Sequence, residues 1–194
     1  MDVQDRRVKR TQHLLAKALI DLTLEKGYDA VTIRDITDKA DVGYATFFRH
    51  YHDKDALLQE VSEVVLAELK NLLPMGPGED AVALGKTLFH YVQENNSIIR
   101  VLLSSRSSTP LMEHIIDIAT DEVLNQNIPL EGSAVPSEVA AYHLVNSSIG
   151  LLQWWLEHDM PYPPERMGII FHELVFQPTL SIAFSPNSLN PENV

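Results

Sequence analysis

The stretch from Thr32 to Leu58, TIRDITDKADVGYATFFRHYHDKDALL, decides how this chain folds. Thr32 stands where a helix N-cap belongs and Asp35 follows three positions on, so hydroxyl and carboxylate can satisfy amides that a first turn leaves unpaired. A helix start at Ile33 follows. Ile33, Ile36 and Ala40 recur on one face, while Arg34, Asp35, Asp38 and Lys39 fall mostly elsewhere. Asp41, Val42 and Gly43 then make a turn of the length a helix-turn-helix needs: Asp tolerates left-handed backbone, Val42 plugs the apolar gap, and Gly43 caps the next helix. The second helix is predicted from about Tyr44 to Tyr51, and Asp53 caps a longer third helix carrying Lys54 and the Ala56-Leu57-Leu58 run.

Outward from this stretch the chain reads as helical throughout. Val8, Leu15, Ala18, Leu19 and Leu22 form a stripe that ends at Gly27, a helix C-cap, which predicts a first helix from roughly Arg6 to Lys26. The helix opening at Lys54 continues through Val61, Val65, Leu69 and Leu72 until Pro74-Met75-Gly76-Pro77-Gly78 breaks it, the best candidate for a hinge. Further helices are predicted near Asp80–Gln93, Ser97–Ser104, Pro110–Asn127, Pro136–His158 and Pro164–Phe176, with Pro178 expected to kink or end the last. No strand hairpin and no internal repeat emerge. The fold class is therefore all-α, with about nine helices: an amino-terminal helix-turn-helix domain over residues 1–55, a carboxy-terminal helical domain over 56–185, a linking helix over 54–73, and a disordered tail over 186–194.

Composition narrows the function classes. At 194 residues and 45% hydrophobic content the chain can bury a substantial core. It has no apolar run long enough to span a bilayer, and Met1–Gln12 is charged and polar, so no membrane association and a soluble, cytoplasmic protein are expected. The absence of cysteine excludes disulfides and thiolate metal sites. His90, His114, His143, His158 and His172 are too scattered to predict a metal site, and no cofactor motif is present. Nor do Asp, Glu and His show enzymatic spacing, which leaves an all-helical enzyme the weakest alternative. The net charge of −12 argues at first against a nucleic-acid partner. Its distribution answers that objection: residues 1–55 hold 10 Lys or Arg and 10 Asp or Glu, whereas residues 56–194 hold 5 and 17. Arg6, Arg7, Lys9 and Arg10 cluster before the first helix, within reach of phosphates.

The order T-I-R-D-I-T, A-D-V-G-Y-A-T-F-F-R-H-Y and D-K-D-A-L-L resembles the amino-terminal DNA-binding domain of TetR-type transcriptional regulators. The resemblance covers about the first quarter of the chain, from roughly Arg10 to Leu58, and it rests on several spaced elements in order. It implies a DNA-binding regulator, a repressor released from a palindromic double-stranded operator by a small-molecule effector; control by a protein partner is the alternative. It also implies a homodimer in which the last two helices pair with their counterparts. The segment Pro136–His158 fits that role, because Leu144–Leu156 is apolar nearly all round and must be buried on more than one side.

Contact residues carry over position by position. Thr32 and Lys54 match phosphate anchors, one a hydroxyl at a helix start and one a cation at the next. Tyr44, Ala45 and Thr46 occupy the leading edge of the recognition helix, where Ala45 and the Thr46 methyl can meet a thymine methyl; Arg49 and His50 lie late in it, where Arg forks to guanine or pairs with phosphate. Tyr44 stands where many relatives have Lys, and Phe48 where many have Tyr, which points to more apolar readout. Phe47 and Tyr51 are expected to pack inside the motif. For the effector, candidate lining residues are Phe89, Tyr91, Met112, Tyr142, His143, Trp154 and Phe171.

Overall fold

The computed structural model describes residues 3–73, 80–104 and 109–185, and within them every element longer than a single bridge is helical. The helices are α1 (Val3–Lys26), α2 (Ile33–Ala40), α3 (Tyr44–Phe47), α4 (Lys54–Leu72), α5 (Ala81–Glu94), α6 (Asn96–Ser104), α7 (Thr109–Gln126), α8 (Ser137–Glu157), α9 (Pro164–Phe171) and α10 (Gln177–Ala183). A π-helical turn over His172–Phe176 joins the last two into one path, so the described residues form nine rods. The hinge expected at Pro74–Gly78 and the tail expected over 186–194 lie outside the described residues.

Packing divides the chain into two units, the first taking in residues up to Val65 and α6 from Ser97, the second the remainder. In the first unit Leu15, Ala18, Leu19 and Leu22 of α1 are buried, as are Ile36 and Ala40 of α2, Phe47 of α3 and Leu57, Leu58 and Val61 of α4. Each fully buried leucine contributes about 2 kcal/mol of transfer free energy. The Thr32 capping box forms as its spacing predicts: Asp35 N donates to Thr32 Oγ1 at 3.2 Å and Thr32 N donates to Asp35 Oδ2 at 2.8 Å. Asp41 ends α2 at φ 53° and ψ 44°, the left-handed geometry that makes the turn.

Two expectations about this unit are corrected. The helix α1 begins at Val3 rather than Arg6, since nothing in Val3–Arg6 breaks it, so the basic cluster sits on the helix and not before it. The second motif helix is regular only over Tyr44–Phe47 instead of reaching Tyr51. Phe48, at φ −70° and ψ −6°, winds the backbone more tightly, so that Arg49 N and His50 N bond three residues back, to Thr46 O at 3.2 Å and Phe47 O at 2.9 Å.

The second unit is built on a close crossing of α5 and α9. A Cβ added to Gly168 would lie 2.5 Å from Lys86 N and 2.8 Å from its Cα, so only a hydrogen fits there. The alanine variant gains at most about 1 kcal/mol in helix propensity. Overpacking against backbone costs about 1–3 kcal/mol, so Gly168→Ala is expected to lower the urea midpoint; an unchanged midpoint would show that the crossing relaxes freely. Beside it, Phe89 meets Trp155 edge to face at 5.1 Å and Phe171 at 6.4 Å. Trp155, fully buried, donates from Nε1 to Tyr162 O at 2.8 Å and so fixes the corner between α8 and α9. The end of α4 joins this unit, where Lys70 pairs with Glu122 of α7 at 2.6 Å and holds that carboxyl below its usual range.

The last helix does not stop near Phe176. Gln177 N reaches back five residues to His172 O, and this wider turn starts α10 with Pro178 in its first turn, where a missing N–H costs little. The path therefore runs to Ala183. Its end is tied down: Leu130 N donates to Ala183 O at 2.9 Å, and Ser185 N donates to Ile128 O at 2.8 Å. Nor is α8 covered all round in the single chain, because Val139, Tyr142 and Trp154 stay 54%, 55% and 41% exposed along one stripe.

Candidate nucleic-acid interface

The short helix α3 is anchored from within and open on its outside. Phe47 and Tyr51 are buried, with ring centroids 5.6 Å apart, and burial together with the nearby Glu60 carboxylate pushes the Tyr51 hydroxyl pKa up. Both act as packing residues, as their pattern predicts. Around these anchors Tyr44, Ala45, Phe48 and Arg49 are exposed, and Thr46 and His50 are half-buried. The Tyr44 and Phe48 rings, 52% and 47% exposed, meet edge to face at 5.2 Å. An exposed aromatic pair is thus held on a short helix anchored from within, with Arg49 exposed next to it in sequence.

Thr32 and Lys54, the two residues read as phosphate anchors, both have work inside the unit. The Thr32 hydroxyl donates to Asp35 Oδ2 at 2.6 Å, and Lys26 reaches the same oxygen at 2.8 Å. Lys26 first, then Thr32, holds the Asp35 carboxyl well below the usual carboxylate range. Lys54 Nζ donates to Tyr28 O at 2.9 Å and Val31 O at 3.1 Å, and lies 4.4 Å from the centre of the Tyr28 ring. The Tyr28 hydroxyl in turn donates to Asp55, and burial first, then that carboxylate, raises its pKa. Lys54 and Asp55 thereby clasp the turn over Tyr28–Ala30 that leads into α2. Sequence pattern offered no sign of this clasp, because its partners lie 23 to 27 positions apart. Asp53 caps α4 as its position predicts, accepting from Ala56 N at 2.8 Å. Arg6, Arg7, Lys9 and Arg10 are exposed along the start of α1.

Comparison with known proteins bears on this geometry. Residues 15–61 match the model of bacterial regulatory proteins of the tetR family, and residues 84–177 match that of the TetR-type transcriptional regulator C-terminal region, so the two cover most of the chain. The chain belongs to the TetR family of transcriptional regulators. As a TetR-family protein it carries that family's amino-terminal helix-turn-helix domain over residues 15–61. It is 29% identical over 178 residues to the HTH-type transcriptional regulator YxbF of Bacillus subtilis, covering 84% of this chain and 44% of that one. The chain spans about half or less of the length of the curated relatives it matches. Among solved structures, a TetR-family regulator from Syntrophomonas wolfei superposes with a TM-score of 0.70 at 15% identity, covering 89% of this chain and 96% of that one. SmeT, the repressor of the Stenotrophomonas maltophilia multidrug efflux pump SmeDEF, superposes at 0.65 with 18% identity, covering 94% and 95%; it is also known in complex with triclosan. At these identities the structural likeness shows the fold alone.

The seven residues of the TetR-family protein read as an effector lining do not come together. Phe89, Tyr91 and Phe171 are buried in the second unit, where the Tyr91 hydroxyl donates to Glu68 Oε2 at 2.7 Å, and Met112 of α7 is half-buried. Tyr142, His143 and Trp154 are on the exposed side of α8, and His143 Nδ1 lies 3.4 Å from Ser147 Oγ. The reason is that an apolar helix tells nothing of which side its own chain covers. Among the described residues no helix is long and apolar enough to cross a membrane.

Proposed function

We propose that this regulator is a homodimeric repressor that holds a palindromic operator through paired copies of α3 and is released when a small molecule binds its second unit. The outward row of Tyr44, Ala45, Phe48 and Arg49 carries this reading, because it presents groove-reading chemistry on a motif whose interior is fully packed. Thr46 and His50 flank that row. Thr32 approaches phosphate at the start of α2, and Lys54 has a third N–H for phosphate beyond the two that its carbonyl partners take. Two copies about one helical turn apart, roughly 34–36 Å, read the two half-sites.

The exposed stripe of Val139, Tyr142 and Trp154 on α8, with Ile169, Leu174 and Ile182 on the last rod, supports the dimer. Under this reading Tyr142, His143 and Trp154 belong to the surface facing the second copy. Leu174→Glu is expected to shift the protein to monomer in sedimentation at micromolar concentration and to weaken binding to a palindrome more than to a single half-site. A dimer of unchanged strength would remove this surface from the interface.

An effector site among Phe89, Tyr91, Met112 and Phe171 completes the reading, by analogy with the triclosan-bound SmeT. The test is binding of the full chain to DNA upstream of its own gene across a salt series, followed by thermal-shift screening of small apolar molecules. Binding that is salt-dependent and reversed by a stabilising compound supports the proposal. Binding to no such fragment counts against the operator; no stabilising compound counts against the small-molecule effector.

A further inference from the structure

The Tyr44–Phe48 pair has a chemical consequence for the DNA that this protein selects. The two exposed rings meet edge to face at 5.2 Å, and Phe48 has no polar atom with which to bond a base or a phosphate. Ala45, next to Tyr44 in sequence, and Arg49, next to Phe48, are exposed as well. Along the floor of the major groove the C5-methyl of thymine is the one apolar group larger than a ring C–H. Residues four apart on a helix are separated by about 6 Å along its axis, close to two base steps of about 3.4 Å. We propose that each half-site of the operator carries thymines within three successive base pairs, whose methyl groups are read by the Tyr44, Ala45 and Phe48 surface, with a guanine beside them for Arg49. This rests on the reading that α3 enters the major groove.

Specificity then comes from apolar contact at the centre and a forked hydrogen bond at the edge. A thymine methyl buried against the pair is worth about fourfold in affinity, the factor that follows from removing one methyl-sized group from water. Uracil lacks that methyl and keeps the pairing and polar edge of thymine. The test therefore starts from the duplex that the full-length protein enriches from a random-sequence pool, with each enriched thymine of a half-site replaced by deoxyuridine. Binding is expected to weaken about fourfold per contacted thymine, and about fifteenfold when the same position is changed in both half-sites. In the Phe48→Ala and Tyr44→Ala variants, whose folding is checked by circular dichroism, the thymine and uracil duplexes are expected to bind alike at the position each ring reads. Uracil duplexes bound as tightly as thymine ones by the unmodified protein would overturn the proposal and assign the rings to the sugar-phosphate edge; so would half-sites without thymine. Failure to enrich any duplex would instead overturn the groove-reading role itself.

Discussion

The Lys54→Ala protein is expected to lose about 2–3 kcal/mol of stability and to bind its operator with a salt slope shallower by about 0.9 per protomer. The stability loss has a definite origin. Lys54 closes two carbonyls, Tyr28 O and Val31 O, and rests on the Tyr28 ring, so its removal leaves two acceptors without their cation and opens the approach to α2. The change of slope has a separate origin, the proposed contact of the ammonium with one phosphate. Urea unfolding measures the first quantity, and titration of the operator between low and moderate salt measures the second. Lost stability with an unchanged slope would confine Lys54 to holding the motif together. The reverse result would make the clasp energetically idle.

Trp155→Ala is expected to be the most damaging single change in the second unit, at about 3–5 kcal/mol. The side chain is completely buried, packs edge to face on Phe89, and bonds Tyr162 O at the turn between α8 and α9. Truncation leaves a cavity at the corner of two helices and an unpaired carbonyl. Trp155→Phe keeps an aromatic ring at the corner and loses the N–H with part of the indole, so it is expected to cost less, about 1–3 kcal/mol. Denaturant unfolding of both variants measures the two losses. A loss below about 1 kcal/mol for the alanine variant, well short of the cost of emptying a packed site, would remove this corner from the core.

Local signals were legible where a few neighbouring residues settle the outcome. The Thr32–Asp35 box, the left-handed Asp41 and the Asp53 cap each depend on groups within four positions, and each forms as its spacing predicts. The α3 boundary was less legible, because Tyr44–Tyr51 has good helical spacing while the tighter winding at Phe48 depends on how Phe47 and Tyr51 sit in the core. The end of the last rod escaped for a similar reason. Pro178 signals a break, and a π turn one step earlier absorbs it.

Capping, turn chemistry and apolar periodicity are local properties, and they suffice for the helix-turn-helix over Thr32–Leu58, the all-helical class and the family. Long-range packing is what lets Lys54 and Asp55 clasp Tyr28, puts Phe89 and Phe171 in the core, and leaves Tyr142 and Trp154 facing outward. Those outcomes depend on contacts between residues far apart in the chain. Hydrophobicity can require an apolar side chain to find a partner, but it does not carry the direction in which that partner lies.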